Sequence, residues 1–209
     1  MKLATLLTAA SLLAATQLAV AGDVIAPDVM VKSTANEVLE IVRKDKDIQA
    51  GDTQKIVAIT QEKIVPHFNF ERMSRMVLGR AWVKASDEQK DKFQTEFRNL
   101  LVRTYSSALA KYRNQVIEYK PLRAAAGDTE VVVRTQIVQP GGPPIPIDYS
   151  MEKKDDAWKV YDVKIDGISM VTNYKGQFAP DLRQGSLDVV IQKLVDKNQQ
   201  LLAKRQEKS

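Results

Sequence analysis

Hydrophobic residues recur every three to four positions through the first half of the chain and again near its end. This spacing places them on one face of a helix. The longest such stripe follows Ser86 and Gln89, which form a capping box at a helix start. The helices predicted from the spacing cover residues 27–47, 53–65, 68–79, 87–112, 168–178 and 187–204.

The period of the hydrophobic residues changes from 3.6 to two in the middle of the chain, which indicates β-strands. The predicted strands cover residues 115–122, 129–139, 145–153 and 158–165. Short turns rich in Gly, Pro and Asp separate them, and short connections between successive strands imply an antiparallel meander. We therefore predict an α+β fold, with a four-stranded antiparallel sheet packed against several helices.

Composition excludes several classes of chemistry. The 209 residues include no cysteine and one histidine, so there is no disulfide framework, thiolate metal site or cysteine nucleophile. Basic residues number 31 and acidic residues 26, a mild positive charge that is far too small to indicate nucleic-acid binding. Aromatic residues are only 6% of the chain, so the core must be mainly aliphatic.

The first 21 residues have the features of a secretory signal peptide. Lys2 is followed by an apolar run to Val20, and Ala19-Val20-Ala21 is a small-x-small cleavage site. Cleavage after Ala21 would leave residues 22–209 as a single exported domain. In this prediction residues 22–113 are helical, residues 114–166 form the sheet, and residues 167–209 form the C-terminal helices.

Three polar residues are the candidates for catalysis, and each also has an ordinary structural explanation. His67 lies at a predicted helix end, where imidazoles usually contact terminal carbonyls. Ser169 follows Gly167 in half of a nucleophile-elbow pattern, but the second glycine is missing and capping a helix explains it better. Asp162 lies inside an apolar strand, where it is either a general base or a hydrogen-bonded structural group.

Each predicted strand has one apolar face. In residues 129–139, Val131, Val133 and Ile137 share the apolar face, whereas Val132 and Arg134 point away from it. The helices would cover this face. A closed core is the ordinary interpretation of this pattern, and the pattern alone does not separate it from an internal apolar cavity.

Three segments resemble the MlaC family, also called the toluene-tolerance (Ttg2) family. The strand-to-helix segment from Trp158 to Phe178 resembles its W-x-V-x-D strand, G-(V/I)-S-(L/M)-V turn and N-Y-R-x-Q-F helix, with Lys175 where the family often has arginine. Residues 68–82 and the helix start at 86–93 also match. The resemblance covers nearly the whole mature chain in order.

The resemblance implies a soluble periplasmic phospholipid carrier with an NTF2-like cone fold. Such a carrier shuttles phospholipid between an outer-membrane lipoprotein–porin complex and an inner-membrane ABC transporter with an MCE-domain subunit, which maintains outer-membrane lipid asymmetry. The expected cargo is phospholipid, with no other cofactor, metal or nucleic acid and no catalytic residue. Acyl chains would lie between sheet and helices, with the headgroup near solvent.

Under this resemblance, inward-facing apolar residues of the sheet and helices are expected to line the lipid pocket. They are Phe70, Met73, Val77, Phe97, Leu101, Tyr105, Ile117, Tyr119, Val131, Val133, Ile137, Ile147, Tyr149, Met151, Val163, Ile165, Ile168 and Val171. On this basis Val133→Trp should displace lipid and leave stability nearly intact, whereas Val132→Trp should leave lipid unchanged.

Two alternative functions stay open at this point. One is an enzyme on an NTF2-like cone, with Asp162 as base and Tyr149 or Tyr161 as acid. The other is a holdase for lipidated or unfolded exported proteins. For a carrier, docking to membrane complexes would use exposed basic side chains, for which the candidates are Arg72, Arg75, Arg80, Lys84 and Lys175.

Overall fold

The computed structural model describes residues 24–110 and 115–206 and has the α+β architecture expected from the sequence. The predicted signal peptide and its cleavage site lie outside the described residues. The helices are α1 (Pro27–Lys44), α2 (Lys46–Ala50), α3 (Thr53–Ile59), α4 (Phe70–Leu78), α5 (Arg80–Lys84), α6 (Asp87–Ala110), α7 (Met170–Gln184) and α8 (Leu187–Gln206). The strands are β1 (Val116–Tyr119), β2 (Glu130–Val138), β3 (Ile145–Lys154), β4 (Ala157–Ile165) and β5 (Ile168–Ser169).

The sheet is an antiparallel meander in the order β1-β2-β3-β4-β5. Two of its connections are tight turns in which two successive residues have positive φ. They are Asp155 and Asp156 between β3 and β4, and Asp166 and Gly167 between β4 and β5. Two successive residues with positive φ give the turn whose twist matches a two-residue hairpin. The predicted four strands are therefore present, and a fifth, two-residue strand extends the meander.

Two helix boundaries differ from the sequence prediction for identifiable reasons. The predicted helix 27–47 is divided at Asp45, whose backbone is extended and whose carboxylate accepts from the N–H groups of Asp47 and Ile48 to cap α2. The predicted helix start at residue 168 is wrong. Residues 168–169 pair with β4, and Ser169 then caps α7 by accepting from the N–H of Thr172 at 3.0 Å.

The segment between α3 and α4 is not a regular α-helix. Residues 60–64 form a π-helical turn and residues 65–67 a 3-10 turn that includes Pro66. Phe68 then forms a parallel bridge with Val160 of β4, and the N–H of Asn69 donates to the Val160 carbonyl at 2.8 Å. This segment is thereby attached to the edge of the sheet.

The hydrophobic interior has one large core and one small one. The large core lies between the inner face of the sheet and α4, α6, α7 and α8. The small core joins α1, α2 and α3 through Val38, Val42, Ile48 and Ile56. Between them, the inner face of the sheet is incompletely filled.

Candidate functional site

An apolar cavity of about 230 Å³ lies between α1 and the inner face of β1, β2 and β3. Side chains from α1 form one wall, and side chains from the sheet form the opposite wall. The residues that line this first lobe are Met30, Val31, Thr34, Ala35, Val38, Leu39, Ile64, His67, Phe68, Leu109, Ile117, Thr135, Ile137, Ile147, Tyr149 and Val160.

A second lobe of about 270 Å³ extends between the sheet and α6. Its lining residues are Thr60, Ile64, Val65, Phe68, Phe70, Leu101, Val102, Tyr105, Ser106, Ala108, Leu109, Ile137, Ile147, Tyr149, Val163, Ile165 and Met170. The two lobes share Ile64, Phe68, Leu109, Ile137, Ile147 and Tyr149. The two lobes therefore adjoin at these side chains and are together called the cleft, whose combined size falls in the ~300–1,000 Å³ range of ligand pockets.

No Asp, Glu, Lys or Arg is found among the described residues that line the two lobes. The hydroxyl groups of the wall largely donate to backbone carbonyls, Thr60 to Ile56 at 2.8 Å, Ser106 to Val102 at 2.5 Å and Thr135 to Ile147 at 3.3 Å. Because these donors are already satisfied, the wall presents mainly carbon to an occupant. A long apolar group is the ligand that such a surface fits.

Two titratable groups of the cleft, His67 and Tyr149, are shifted towards their neutral forms. Burial lowers the pKa of His67, and the charge of nearby Lys159 lowers it further. Burial raises the pKa of the Tyr149 hydroxyl. Both shifts favour the uncharged form of the group.

The structure places nine of the eighteen predicted pocket residues in the cleft walls. They are Phe70, Leu101, Tyr105, Ile117, Ile137, Ile147, Tyr149, Val163 and Ile165. Whether these residues contact a ligand stays a prediction, but their positions suit it.

The other nine predicted pocket residues are not among those that line the two lobes. Met73, Val77, Phe97, Val131, Val133, Met151 and Val171 belong to the large core, Tyr119 is partly buried against that core, and Ile168 is 63% exposed. Phe97 packs there against aromatic rings of α7. Contact of these nine residues with a ligand stays a prediction.

Sequence reasoning missed the α1 wall. Met30, Val31, Thr34, Ala35, Val38 and Leu39 all line the first lobe. Their helical spacing was visible in the sequence, but spacing shows only that a face is buried. It does not show that the face lies opposite a gap.

Asp162 has a structural role in this fold. Its Oδ2 accepts from the Ser169 hydroxyl at 2.5 Å and its Oδ1 accepts from the N–H of Val171 at 3.1 Å, so both oxygens fix the start of α7. Tyr149 faces the cleft and pairs with Val163, the strand neighbour of Asp162. Asp162 is not among the residues that line the two lobes.

Arg72 is not a free docking residue, which corrects one of the five surface candidates. Its guanidinium contacts Glu152 at 2.6 Å and Glu130 at 2.8 Å, and lies 3.6 Å from the centroid of the Tyr161 ring. These contacts fasten α4 to the sheet. Arg75, Arg80, Lys84 and Lys175 are exposed.

Across residues 24–110 and 115–206, no group of His, Asp and Glu side chains is arranged to hold a metal ion. In the same ranges, the helices lack the length and apolar character needed to cross a membrane. The cleft is therefore the feature of the described chain that most resembles a ligand site.

Comparison with known proteins places the chain among described relatives. The family model described as "MlaC protein" matches residues 32–196. The intermembrane phospholipid transport system binding protein MlaC of Haemophilus influenzae is 26% identical over 171 residues, 80% of each chain. Toluene tolerance protein ttg2D of Pseudomonas putida is 26% identical over 164 residues, 78% of this chain and 76% of the relative.

A solved structure is also similar. It is a phospholipid-binding protein from Ralstonia solanacearum in complex with a phospholipid. It has a TM-score of 0.78 and 40% identity to this chain, and the match covers 84% of this chain and 98% of the other.

Proposed function

The chain belongs to the MlaC family, and from that premise we propose that it is a phospholipid carrier whose acyl chains occupy the two-lobed cleft. The observation that supports the proposal best is the continuous wall of uncharged, mostly aliphatic side chains between sheet and helices. The phospholipid bound to the Ralstonia solanacearum protein supports it further.

The free energy of lipid solvation explains why such a cleft is needed. A diacyl lipid has on the order of thirty methylenes, and at ~0.8 kcal/mol each its exposure to water costs roughly 24 kcal/mol. Free diffusion between two membranes is then negligible. A carrier must replace that water with apolar side chains and place no unpaired polar group against the chains.

The π-helical turn at residues 60–64 adds a local reason to expect adaptability. Thr60 and Ile64 of this turn line the second lobe, and Ile64 borders both lobes. A π-turn carries a backbone irregularity that is frequently found at functional sites. A wall built on it can adjust to acyl chains of different length at lower cost than a regular helix.

We also propose the wider setting of this activity. The carrier is exported to the periplasm after cleavage at Ala21, and it exchanges phospholipid with an inner-membrane ABC transporter complex with an MCE-domain subunit and with an outer-membrane lipoprotein–porin complex. Exposed Arg75, Arg80, Lys84 and Lys175 are the docking candidates. Charge reversal at Arg75 and Arg80 together should weaken partner binding and leave bound lipid in place.

Lipid extraction from the purified protein is the decisive experiment. We expect about one mole of diacyl phospholipid per mole of protein. The Ile147→Trp variant should fold but lose this lipid, because Ile147 borders both lobes and the indole would fill them. Val132→Trp is the matched control on the opposite face of the sheet and should retain lipid.

Two outcomes would contradict the proposal. A purified protein without lipid that also takes up none from vesicles would point towards the enzyme alternative. Full lipid content in Ile147→Trp would place the lipid elsewhere. Capture of unfolded exported proteins by the lipid-loaded form would favour the holdase.

A further inference from the structure

A polar vestibule of about 560 Å³ adjoins the first lobe of the cleft. It lies between the C-terminal half of α1 and the start of β1. Leu39 and Ile117 line both the vestibule and the lobe, so the two spaces adjoin at these side chains. The remaining wall of the vestibule includes Asn36, Glu40, Arg43 and Lys44.

The change in chemistry at this boundary is abrupt. The lining residues described for the two lobes include no charged side chain, whereas the vestibule has Glu40, Arg43 and Lys44. Two cations and one carboxylate leave the vestibule with a net positive charge at neutral pH. Both cationic side chains are exposed, so neither belongs to the hydrophobic core.

The polar residues follow the helical repeat. Asn36, Glu40 and Arg43 are separated by four and then three residues, which places them on one face of α1 along about 10 Å of its axis. Leu39 belongs to the same face and lies at the border of the apolar lobe. The first half of α1 therefore lines the apolar lobe, and its last two turns carry the charged side chains that line the vestibule.

We propose that this vestibule holds the phosphodiester group of the bound glycerophospholipid, with Arg43 and Lys44 donating to its phosphate oxygens. The inference rests on the proposed function, because the acyl chains must occupy the adjoining cleft. A guanidinium and an ammonium are the side chains that recognise phosphate. The second lobe, which has no charged lining residue, then receives acyl chain rather than headgroup.

The test must distinguish phosphate binding from a second explanation for the two cations, which is that they stabilise the end of α1. Basic side chains in the last turn of a helix interact favourably with its dipole. Lys44 also pairs with Glu40 one turn earlier. Loss of both cations therefore changes helix stability whether or not a ligand is present, and a stability measurement alone does not test the inference.

The test is a double variant, Arg43→Gln with Lys44→Gln, assayed for two fluorescent lipids with the same acyl chains. One is a phosphatidylglycerol and the other a diacylglycerol, which lacks the phosphate. We expect affinity for the phospholipid to fall about tenfold, as for loss of charge-assisted hydrogen bonds at a partly exposed site. Affinity for the diacylglycerol should stay within about twofold of wild type, since the cleft is unchanged.

The control variant is Lys92→Gln with Lys197→Gln, which removes the same charge from exposed positions on α6 and α8. It should bind both lipids as the wild type does. Equal loss of both lipids in the Arg43/Lys44 variant, or no loss of either, would overturn the headgroup assignment. Inorganic phosphate that binds at low millimolar concentration without lipid would also overturn it, because the site would then serve a free anion.

Failure of the proposed function gives a different result. In that case wild-type protein binds neither lipid in the cleft, and Ile147→Trp has no effect on either. If Ile147→Trp abolishes binding of both lipids and the Arg43/Lys44 variant binds both normally, the carrier function stands and only the vestibule assignment is wrong.

Discussion

At one end of the sheet's inner face, four aromatic rings from α6 and α7 pack against one another, whereas at the other end aliphatic side chains surround open space. Phe97 is 5.2 Å from Tyr174 and 6.4 Å from Phe178 between ring centroids, in edge-to-face geometry. The strand β2 passes from the filled end to the open end between Val133 and Thr135.

This difference shows that the hydrophobic pattern of the strands does not determine where a cavity forms. Both ends of β2 and β3 carry apolar inward-facing residues at the same period. What differs is the covering layer. Val131 and Val133 belong to the same closed core as the aromatic rings, whereas α1 and the π-helical turn line the open cleft together with Ile137 and Ile147.

The largest expected effect is at the filled end. Phe97 is fully buried, so Phe97→Ala should cost ~3–5 kcal/mol of unfolding free energy. Ile147→Ala, at the open end, should cost less than ~2 kcal/mol, because its side chain already borders unfilled volume. Urea denaturation of lipid-free protein measures both. Equal losses would mean that the cleft closes when lipid is absent.

The aromatic cluster also predicts sensitivity to alkaline pH. Burial, with a smaller contribution from neighbouring Tyr105, raises the pKa of Tyr174 to about 12. The neutral hydroxyl is thus favoured in the folded state. This contribution is complete below the unfolded pKa of about 10 and is lost as the pH rises towards 12, amounting to about 2–3 kcal/mol.

Urea unfolding between pH 9 and pH 12 tests this expectation. Wild-type stability should fall across this interval, and Tyr174→Phe should fall less because it has no proton to lose. Parallel curves for the two proteins would show that Tyr174 does not carry the alkaline transition.

A smaller effect on stability is expected when a single valine on one face or the other of β2 is replaced by tryptophan. Val133 is 2% exposed within the filled end, so Val133→Trp should overpack the core and cost ~1–3 kcal/mol. This reverses the expectation from the sequence pattern, which placed Val133 on the pocket. Val132→Trp, on the outer face, should change stability little. Thermal melting with lipid content measured in parallel separates these cases, and a fully stable Val133→Trp protein would contradict the assignment of Val133 to the closed core.

The order of the elements and the sheet topology were predictable from the sequence because they depend on local chemistry. The period of two marks β2, β3 and β4, and the Gly/Pro turn at residues 140–143 and the Asp turn at residues 155–156 fix their antiparallel order. The strand at residues 168–169 was not predictable in this way. It is two residues long and exists because Asp166 and Gly167 turn the chain back onto β4.

The cleft was only partly predictable because its walls come from distant parts of the chain. Ile137 and Ile147 were correctly placed on the inner face, since alternation along a strand defines that face. The partner wall on α1 depends on how that helix packs over the sheet, and no local spacing encodes this. The packing of Phe97 was not predictable from local spacing, because its partners Tyr174 and Phe178 lie some 80 residues further along the chain, in α7.

The smallest expected effect lies at Asp162, where the filled end meets the start of α7. Asp162→Asn keeps one carbonyl oxygen for the N–H of Val171 but replaces the acceptor of the Ser169 hydroxyl with a donor. The loss of one charge-assisted hydrogen bond should cost ~1–2 kcal/mol, while lipid content stays full because Asp162 is not a cleft residue. Asp166→Asn is the matched control, since it makes the same chemical change in the adjacent turn and asparagine tolerates the positive φ there. Lipid loss in Asp162→Asn at unchanged stability would contradict the structural role and connect this carboxylate to the ligand.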